Sequence, residues 1–446
     1  MAEDRDQERP EPSDTRVRSK RRRWWLWMPA GCFGLMVIVG LAGWAVVGGR
    51  SRARWAEFQV RHAELSATVT ALPCDRKPLE GAGVPGNSWE HFENAWVAYD
   101  KLSKKEKDEV SSATLMKTTP ESDALAFAVL DAHPEIFAAI REGAKCDTFD
   151  APYEWDLGVD MPLPWLAHFR LLSRLLAADA RRRRTEGNLD AALDRVRLGF
   201  EMGADVGRSG VLVCWLVGVA IRGITLSQAA LIASDPALTA AQAGRLETLM
   251  VRVEEEILPL HQALRADQLA TGFTFIGNEE GAAKSLTGAY DMPFKNRAAF
   301  TWRHGGSWRL AFAVVDERLG ELGRLVEKGE SLPWDAASKQ YETFIRSVGS
   351  DPLLEVLMFA PQVCENSGRS NVARLRLIAS LCHERRTGAP RDTLPLDPHT
   401  LTPLHRRVDP DKTVYWTEWS DGDQGGTGKF DENPQSTGDI PLEWKR

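Results

Sequence analysis

The chain has 446 residues, of which 43% are hydrophobic and 27% are charged, so most of it can bury an apolar core. Its formal net charge of -7 argues against a nucleic-acid-binding protein, because such proteins concentrate lysine and arginine on one face. The partners predicted from composition are therefore a membrane and other proteins, and no nucleic acid.

The first two predicted elements are a disordered cytoplasmic tail over residues 1–23 and a transmembrane helix over residues 24–47. The tail is polar and rich in charge, whereas the run that follows has 24 residues without a charge. A helix needs roughly 20 apolar residues to cross the hydrocarbon core of a bilayer. Tryptophan is typical of membrane interfaces and stands near both ends of the run, at Trp24, Trp25, Trp27, Trp44 and Trp55.

Basic residues predict the orientation of this helix. Six precede it between Arg16 and Arg23, and three follow it, at Arg50, Arg52 and Arg54. The positive-inside rule then puts the N-terminus in the cytoplasm and the bulk of the chain on the periplasmic side of the inner membrane. A cleaved signal peptide is the alternative, and the length of the run disfavours it.

A second apolar stretch runs from Val211 to Ala233, with Arg222 in its middle. A charge at the centre of a bilayer is costly, so this stretch is predicted to be a buried core helix.

The body, residues 48–388, is predicted to be mainly α-helical, an α-solenoid-like array of helical hairpins on the extracytoplasmic side. The clearest hairpin joins Leu163–Thr185 to Asn188–Val206 through Glu186-Gly187, a tight turn between two amphipathic segments. Further helices are predicted up to Ser370–Arg386, and Asn278–Gly306 is predicted to be an irregular surface loop.

Residues 389–446 form a predicted C-terminal lobe of different character. Strand-like alternation over Leu404–Val408 and Thr413–Trp419 flanks the turn residues 409–412, and Ile440–Trp444 is a third short strand. From Asp409 onward the lobe has nine acidic and four basic residues. The prediction is a small acidic β-hairpin and loop lobe.

This lobe, together with the helix before it from Asn371 onward, resembles the C-terminal part of the major pseudopilin of type II secretion over about 75 residues. The matching features are Asp397-Pro398, Ser420, Asp423, Gly425-Gly426, Asp439-Ile440 and Trp444. The whole chain is also similar to large helical, membrane-anchored proteins of planctomycetes and related bacteria, which carry the same tail and whose function is not established.

The pseudopilin resemblance implies calcium in the loop. Asp423 and Asp439 occupy matching positions, and Asp431 is a looser candidate ligand. Calcium takes six to eight oxygen ligands, and nearby glycines allow the backbone to turn tightly around it. The segment 429–436 lengthens the loop relative to the family, and the alternative is a solvated acidic loop without a metal.

Six cysteines allow disulfides if the body is exported. Cys364 with Cys382 is the first candidate pair and Cys74 with Cys146 the second, while Cys214 is predicted to be a small buried hydrophobe. Free thiols throughout are the alternative, since sequence does not fix connectivity.

No catalytic constellation is apparent in the sequence. The pair His383-Glu384 lacks the second histidine of a zinc protease, and neither a nucleophile elbow nor a phosphate-binding loop is present. The predicted function is a membrane-anchored scaffold or interaction protein of the cell envelope, associated through its tail with type II secretion or pilus-like machinery. The alternative is an extracytoplasmic enzyme with a site between helices.

Overall fold

The computed structural model describes residues 45–68, 75–113, 120–208, 210–277, 307–348, 361–418 and 441–445. This part of the chain is mainly α-helical and carries two small sheets, which confirms the predicted class. The predicted tail, the predicted transmembrane run up to residue 44 and the predicted loop 278–306 lie outside the described residues.

Thirteen α-helices lie within the described residues. They are α1 (45–68), α2 (Ser88–Asp100), α3 (Lys104–Ala113), α4 (Pro120–Ala132), α5 (Glu135–Gly143), α6 (Trp165–Thr185), α7 (Leu189–Arg208), α8 (Leu212–Ala233), α9 (Ala240–Glu255), α10 (Leu260–Gly277), α11 (Trp308–Gly329), α12 (Trp334–Val348) and α13 (Pro361–Thr387). A 3₁₀ helix covers Trp155–Asp160. The strands are β1 (Val84–Asn87), β2 (Cys146–Thr148), β3 (His405–Val408), β4 (Lys412–Trp416) and β5 (Pro441–Lys445).

Helices α6 and α7 lie in the two segments for which a helical hairpin was predicted. Gly187 ends α6 with a φ of 77°, a conformation that glycine adopts without strain, and the Asn188 N–H donates to the Arg183 carbonyl at 2.8 Å. The two helices pack along their length. The finer prediction, an α-solenoid-like array of such hairpins, stays a prediction.

Helix α8 is the centre of the body. It packs against α6, α7, α10 and α13, and its side chains contribute to three of the hydrophobic clusters in the described residues. Within that part of the chain α8 is the one helix long and apolar enough to cross a membrane, yet 78% of its most apolar window is buried inside the protein. The prediction of a buried core helix for this segment is therefore confirmed.

Close packing of α7 on α8 depends on glycine. A methyl group on Gly218 would lie 2.6 Å from the Gly207 Cα and 2.8 Å from the Gly203 carbonyl oxygen, so the two backbones meet directly at this point. Gly223, one and a half turns further along α8, has only the Asn371 Oδ1 nearby, at 3.8 Å.

The C-terminal sheet has the predicted strands. β3, β4 and β5 form an antiparallel sheet in that order, with His405 opposite Trp416 and Tyr415 opposite Leu442. Tyr415 and Leu442 are buried in the same cluster as α9 and α13, so the sheet closes one side of the core. The sequence did not predict the short parallel pair β1–β2.

We expect Gly218→Ala to lower the free energy of unfolding by about 1–3 kcal/mol, because the new methyl group has no space between the α7 and α8 backbones. Gly223→Ala is the matched control on the same helix. It should raise the unfolding free energy by roughly 0.5–1 kcal/mol, because alanine loses less backbone entropy in a helix. Thermal unfolding followed by circular dichroism measures both, and equal midpoints would contradict direct backbone contact.

Candidate functional site

The predicted calcium ligands Asp423, Asp431 and Asp439 lie outside the described residues, so the calcium prediction stays untested. Within the described ranges no group of three or more histidine, cysteine, aspartate or glutamate side chains is arranged to hold a metal ion.

The predicted pair Cys364–Cys382 is wrong. Both thiols are free and buried, and both lie on α13, where eighteen residues of helix separate them by about 27 Å. A disulfide requires Cα atoms within about 7 Å. Cys146 is buried, whereas Cys74 lies outside the described residues, so that pair stays a prediction. Cys214 is fully buried, as predicted.

The strongest candidate site is a cleft of about 320 Å³ that we call the Trp215 cleft. It opens where the α9–α10 connection, the end of α11, the middle of α13 and the loop 398–401 meet. Its apolar lining consists of Trp215, Ile257, Leu258, Pro259, Leu260, Val372, Pro398 and Leu401. A cavity of this size and apolar character lies at the small end of ligand-binding pockets.

The charged side chains of the Trp215 cleft are held by bonds within the protein. Glu365 accepts hydrogen bonds from Arg369 Nε at 2.8 Å and from the Tyr341 hydroxyl. Arg369 also donates to the carbonyls of Gly329, Leu332 and Pro398, at 2.8, 2.8 and 2.5 Å. Arg369 therefore joins α11, α13 and the loop that leads to the C-terminal sheet.

Burial changes the ionisation of this network. It raises the pKa of Glu365, a shift that the Arg369 guanidinium opposes, and it raises the pKa of the Tyr341 hydroxyl together with the adjacent Glu365 carboxylate. Burial also raises the pKa of the neighbouring Cys364 to about 11, so that thiol stays protonated at neutral pH. A thiol in this state is a poor nucleophile.

The mouth of the cleft carries a histidine–carboxylate pair. His261 Nδ1 lies 3.0 Å from Glu330 Oε2, and the Glu330 side chain is 30% exposed. Such a pair can transfer a proton to a bound molecule. None of the described residues that line the cleft is a serine, threonine or cysteine. The arrangement therefore suits binding of an apolar group beside a polar rim.

A separate charged network lies in the interior at Arg76. Its guanidinium donates to Glu201 at 2.5 Å, to Asp205 at 3.0 Å and to the Gly143 and Ala144 carbonyls at 2.9 and 3.1 Å. Its side chain and both carboxylates are almost fully buried. Four hydrogen-bond partners around one buried cation are typical of a structural junction.

The C-terminal sheet is attached to α13 by a second set of buried polar groups. Glu384 accepts hydrogen bonds from Arg406 at 2.7 and 2.8 Å and from the Tyr415 hydroxyl at 2.6 Å. Asp397 accepts from the backbone N–H groups of His399 and Glu418, at 2.8 and 2.7 Å. These contacts fix the loop that forms one wall of the Trp215 cleft.

Sequence reasoning missed the Trp215 cleft, because its lining residues come from five separate parts of the chain. One local signal was available. Glu365 and Arg369 stand four residues apart, the spacing of an ion pair on one helix face, but the predicted helix began only at Ser370.

We expect the contribution of His399 to the free energy of unfolding to fall as the pH decreases from 6.5. Burial lowers the pKa of His399 to about 3, so folded His399 stays neutral while the unfolded side chain binds a proton below its ordinary pKa of 6.5. The contribution of His399 is therefore complete above pH 6.5 and is lost progressively below it. By pH 5 the loss is about 2 kcal/mol, at 1.36 kcal/mol for each bound proton and pH unit.

Chemical denaturation between pH 7.5 and 5 measures this slope. His399→Asn, which does not titrate, should reduce it by about one proton. An unchanged slope in the variant would show that His399 is protonated in the folded protein.

Comparison with known proteins finds no relative of this chain. No protein-family model, no curated protein and no solved structure matches it. The resemblance to the type II secretion pseudopilin therefore depends on the residues of the C-terminal lobe alone, and the function is inferred from this chain's own sequence and contacts.

Proposed function

We propose that this protein is a membrane-anchored scaffold of the cell envelope, which holds a rigid helical body at a fixed height above the bilayer for partner proteins. The observation that carries the proposal is the continuity of α1. This helix already includes residues 45–47, the end of the predicted transmembrane run, and continues without interruption to residue 68.

Buried side chains hold α1 against α10 and α11. Phe58 is fully buried against Phe275 and Phe312, and His62 lies 3.3 Å from the Leu269 carbonyl oxygen. Arg61 forms an ion pair of 2.9 Å with Asp316, whose side chain is only 4% exposed. A helix held in this way cannot swing freely relative to α10 and α11.

A rigid connection between the membrane anchor and the helical body favours a scaffold over an enzyme that is only tethered to the membrane. At 1.5 Å per residue, the 24 described residues of α1 extend about 36 Å, so the same helix would leave the bilayer and run along the body. A flexible linker would let the body diffuse around its anchor, whereas this helix fixes both its distance and its orientation. Fixed presentation suits a protein that positions partners.

An open groove between α11 and α12 offers a surface for such a partner. It has a volume of about 680 Å³ and is lined by Arg324, Leu325, Lys328, Lys339 and Phe344, and Glu321 is the one acidic side chain among the described residues that line it. A basic rim around an apolar floor favours an acidic, partly apolar segment of another protein.

Association with type II secretion or pilus-like machinery is part of the proposal. Its support is the likeness of the C-terminal lobe to the major pseudopilin. The order of elements is compatible with that likeness, since α13 is followed by Asp397-Pro398 and an antiparallel sheet.

The Trp215 cleft favours the second candidate function, an extracytoplasmic enzyme or ligand-binding protein. Its His261–Glu330 pair is the group best placed to move a proton. We rank this function second, because the buried charges of the cleft are engaged in holding helices together.

We expect the full-length protein to remain in the membrane fraction after alkaline extraction. Leu35→Arg with Ile38→Arg should release it, because each arginine near the centre of a membrane helix costs about 2.5–3.5 kcal/mol. The matched control is Val213→Arg with Leu231→Arg on α8, two apolar positions that are 42% and 43% exposed. The control should stay in the membrane, and its release instead would assign α8 as the anchor.

Calcium in the C-terminal lobe is an independent expectation. A ligand that binds only the folded state stabilises it by about 2.7 kcal/mol at 100 times its dissociation constant. The melting temperature of the full chain should therefore rise from chelator to millimolar calcium, and Asp423→Ala and Asp439→Ala should remove the increase. Asp411→Ala, in the β3–β4 turn, is the control. Equal melting temperatures in both conditions would leave a metal-free acidic loop.

A further inference from the structure

Three helix ends and the middle of α1 meet at one end of the body, which we call the proximal end. The three ends are the last turn of α10, the start of α11 and the last turn of α12, and with α1 they share a cluster that contains Phe58, Phe275, Phe312 and Val348. The Ser51 and Ser307 hydroxyls lie 2.6 Å apart, so α11 begins beside the second turn of α1.

Basic side chains outnumber acidic ones at the proximal end. Arg50, Arg52 and Arg54 on α1 and Arg309 on α11 lie within this layer, and the acidic residues near Arg54 are Glu57 and Glu317. Arg50, Arg52 and Arg309 are exposed, and the Arg54 guanidinium lies 2.9 Å from the Glu317 carboxylate. Three exposed cations therefore lie in the first half of α1 and the first turn of α11.

Aromatic and aliphatic side chains accompany these cations. Trp55 and Trp308 are partly buried, and the Arg309 guanidinium lies 5.7 Å from the centre of the Trp55 ring. Ile276, beside the buried Phe275, is 41% exposed. Tryptophan and arginine together are typical of the boundary between hydrocarbon and headgroups.

The distance between this layer and the predicted transmembrane run gives the depth of the layer relative to the bilayer. Ser51 follows Val47, the last residue of the apolar run, by four residues, or about 6 Å of helix. The headgroup region on each side of a bilayer is about 5 to 7 Å thick. Because Ser307 contacts Ser51, the start of α11 then lies at the same depth as the lipid phosphates.

We propose that the proximal end is a lipid-binding surface, in which Arg50, Arg52 and Arg309 bind the phosphate groups of anionic lipids and Trp55 and Trp308 lie at the interface. This inference rests on the proposed membrane anchor and adds a second, electrostatic attachment that fixes the tilt of the body. Binding should strengthen about fivefold for each arginine near an anionic surface and weaken as salt is added.

Hydrogen–deuterium exchange of the full-length protein in nanodiscs tests this proposal. One set of nanodiscs contains phosphatidylcholine alone, and the other contains phosphatidylcholine with one third phosphatidylglycerol. Amides of residues 311–318 in α11 should exchange tenfold or more slowly in the anionic nanodiscs, because lipid binding opposes opening of the proximal end. The difference should disappear in 0.5 M sodium chloride.

The variant Arg50→Gln/Arg52→Gln/Arg309→Gln should lose the dependence on anionic lipid. Lys101→Gln/Lys104→Gln/Lys105→Gln, which removes the same charge from the exposed α2–α3 turn, should retain it. Equal exchange of wild-type protein in the two nanodiscs would overturn the proposal. Alkaline extraction separates the two ideas: release from membranes rejects the anchor itself, whereas retention with lipid-independent exchange rejects only the lipid-binding surface.

Discussion

The burial of most of α8 is the constraint on which the rest of the structure depends. This helix is apolar on all sides, and each large apolar side chain gains about 1.5–3 kcal/mol when it leaves water. A bilayer could have supplied that environment, but Arg222 stands in the middle of the helix with its guanidinium donating to the Gly203 carbonyl at 3.3 Å. The protein must therefore cover α8 itself. Helices α6, α7, α10 and α13 do so, and the clusters they form with α8 bring together the walls of the Trp215 cleft and the support for α1.

Much of this architecture was readable from local patterns. The α6–α7 hairpin was predicted from two amphipathic segments around Gly187, and the core position of α8 from the cost of Arg222 in a bilayer. The C-terminal strands were predicted from alternating side chains around the turn at Asp409, and they pair as an antiparallel sheet. In each case the signal lies within about twenty residues, where helix periodicity, strand alternation and turn chemistry act directly.

The features that sequence reasoning missed depend on contacts between distant residues or on the exact start of a helix. Strand β1 consists of Val-Pro-Gly-Asn, which has little strand propensity, and pairing holds it beside β2. Helix α13 was predicted to begin at Ser370 but begins at Pro361, a residue favoured in the first turn. The predicted helix did not include Cys364, so a disulfide between Cys364 and Cys382 was not excluded by helix geometry. The Trp215 cleft needed tertiary contacts that no local pattern encodes.

The contacts that hold α1 against α10 and α11 have a consequence for the order in which these helices come together during synthesis. Arg61 and its partner Asp316 are 255 residues apart, so at 5–20 residues per second the ribosome needs roughly 10 to 50 s to make the second after the first. Until α10 and then α11 have been made, the face of α1 that carries Phe58 and His62 lacks the native surface that covers it. If the preceding apolar run is already in the bilayer, the lipid interface is the nearest apolar surroundings for this face. Maturation of the protein then includes a transfer of α1 from lipid to protein, timed by the synthesis of α11.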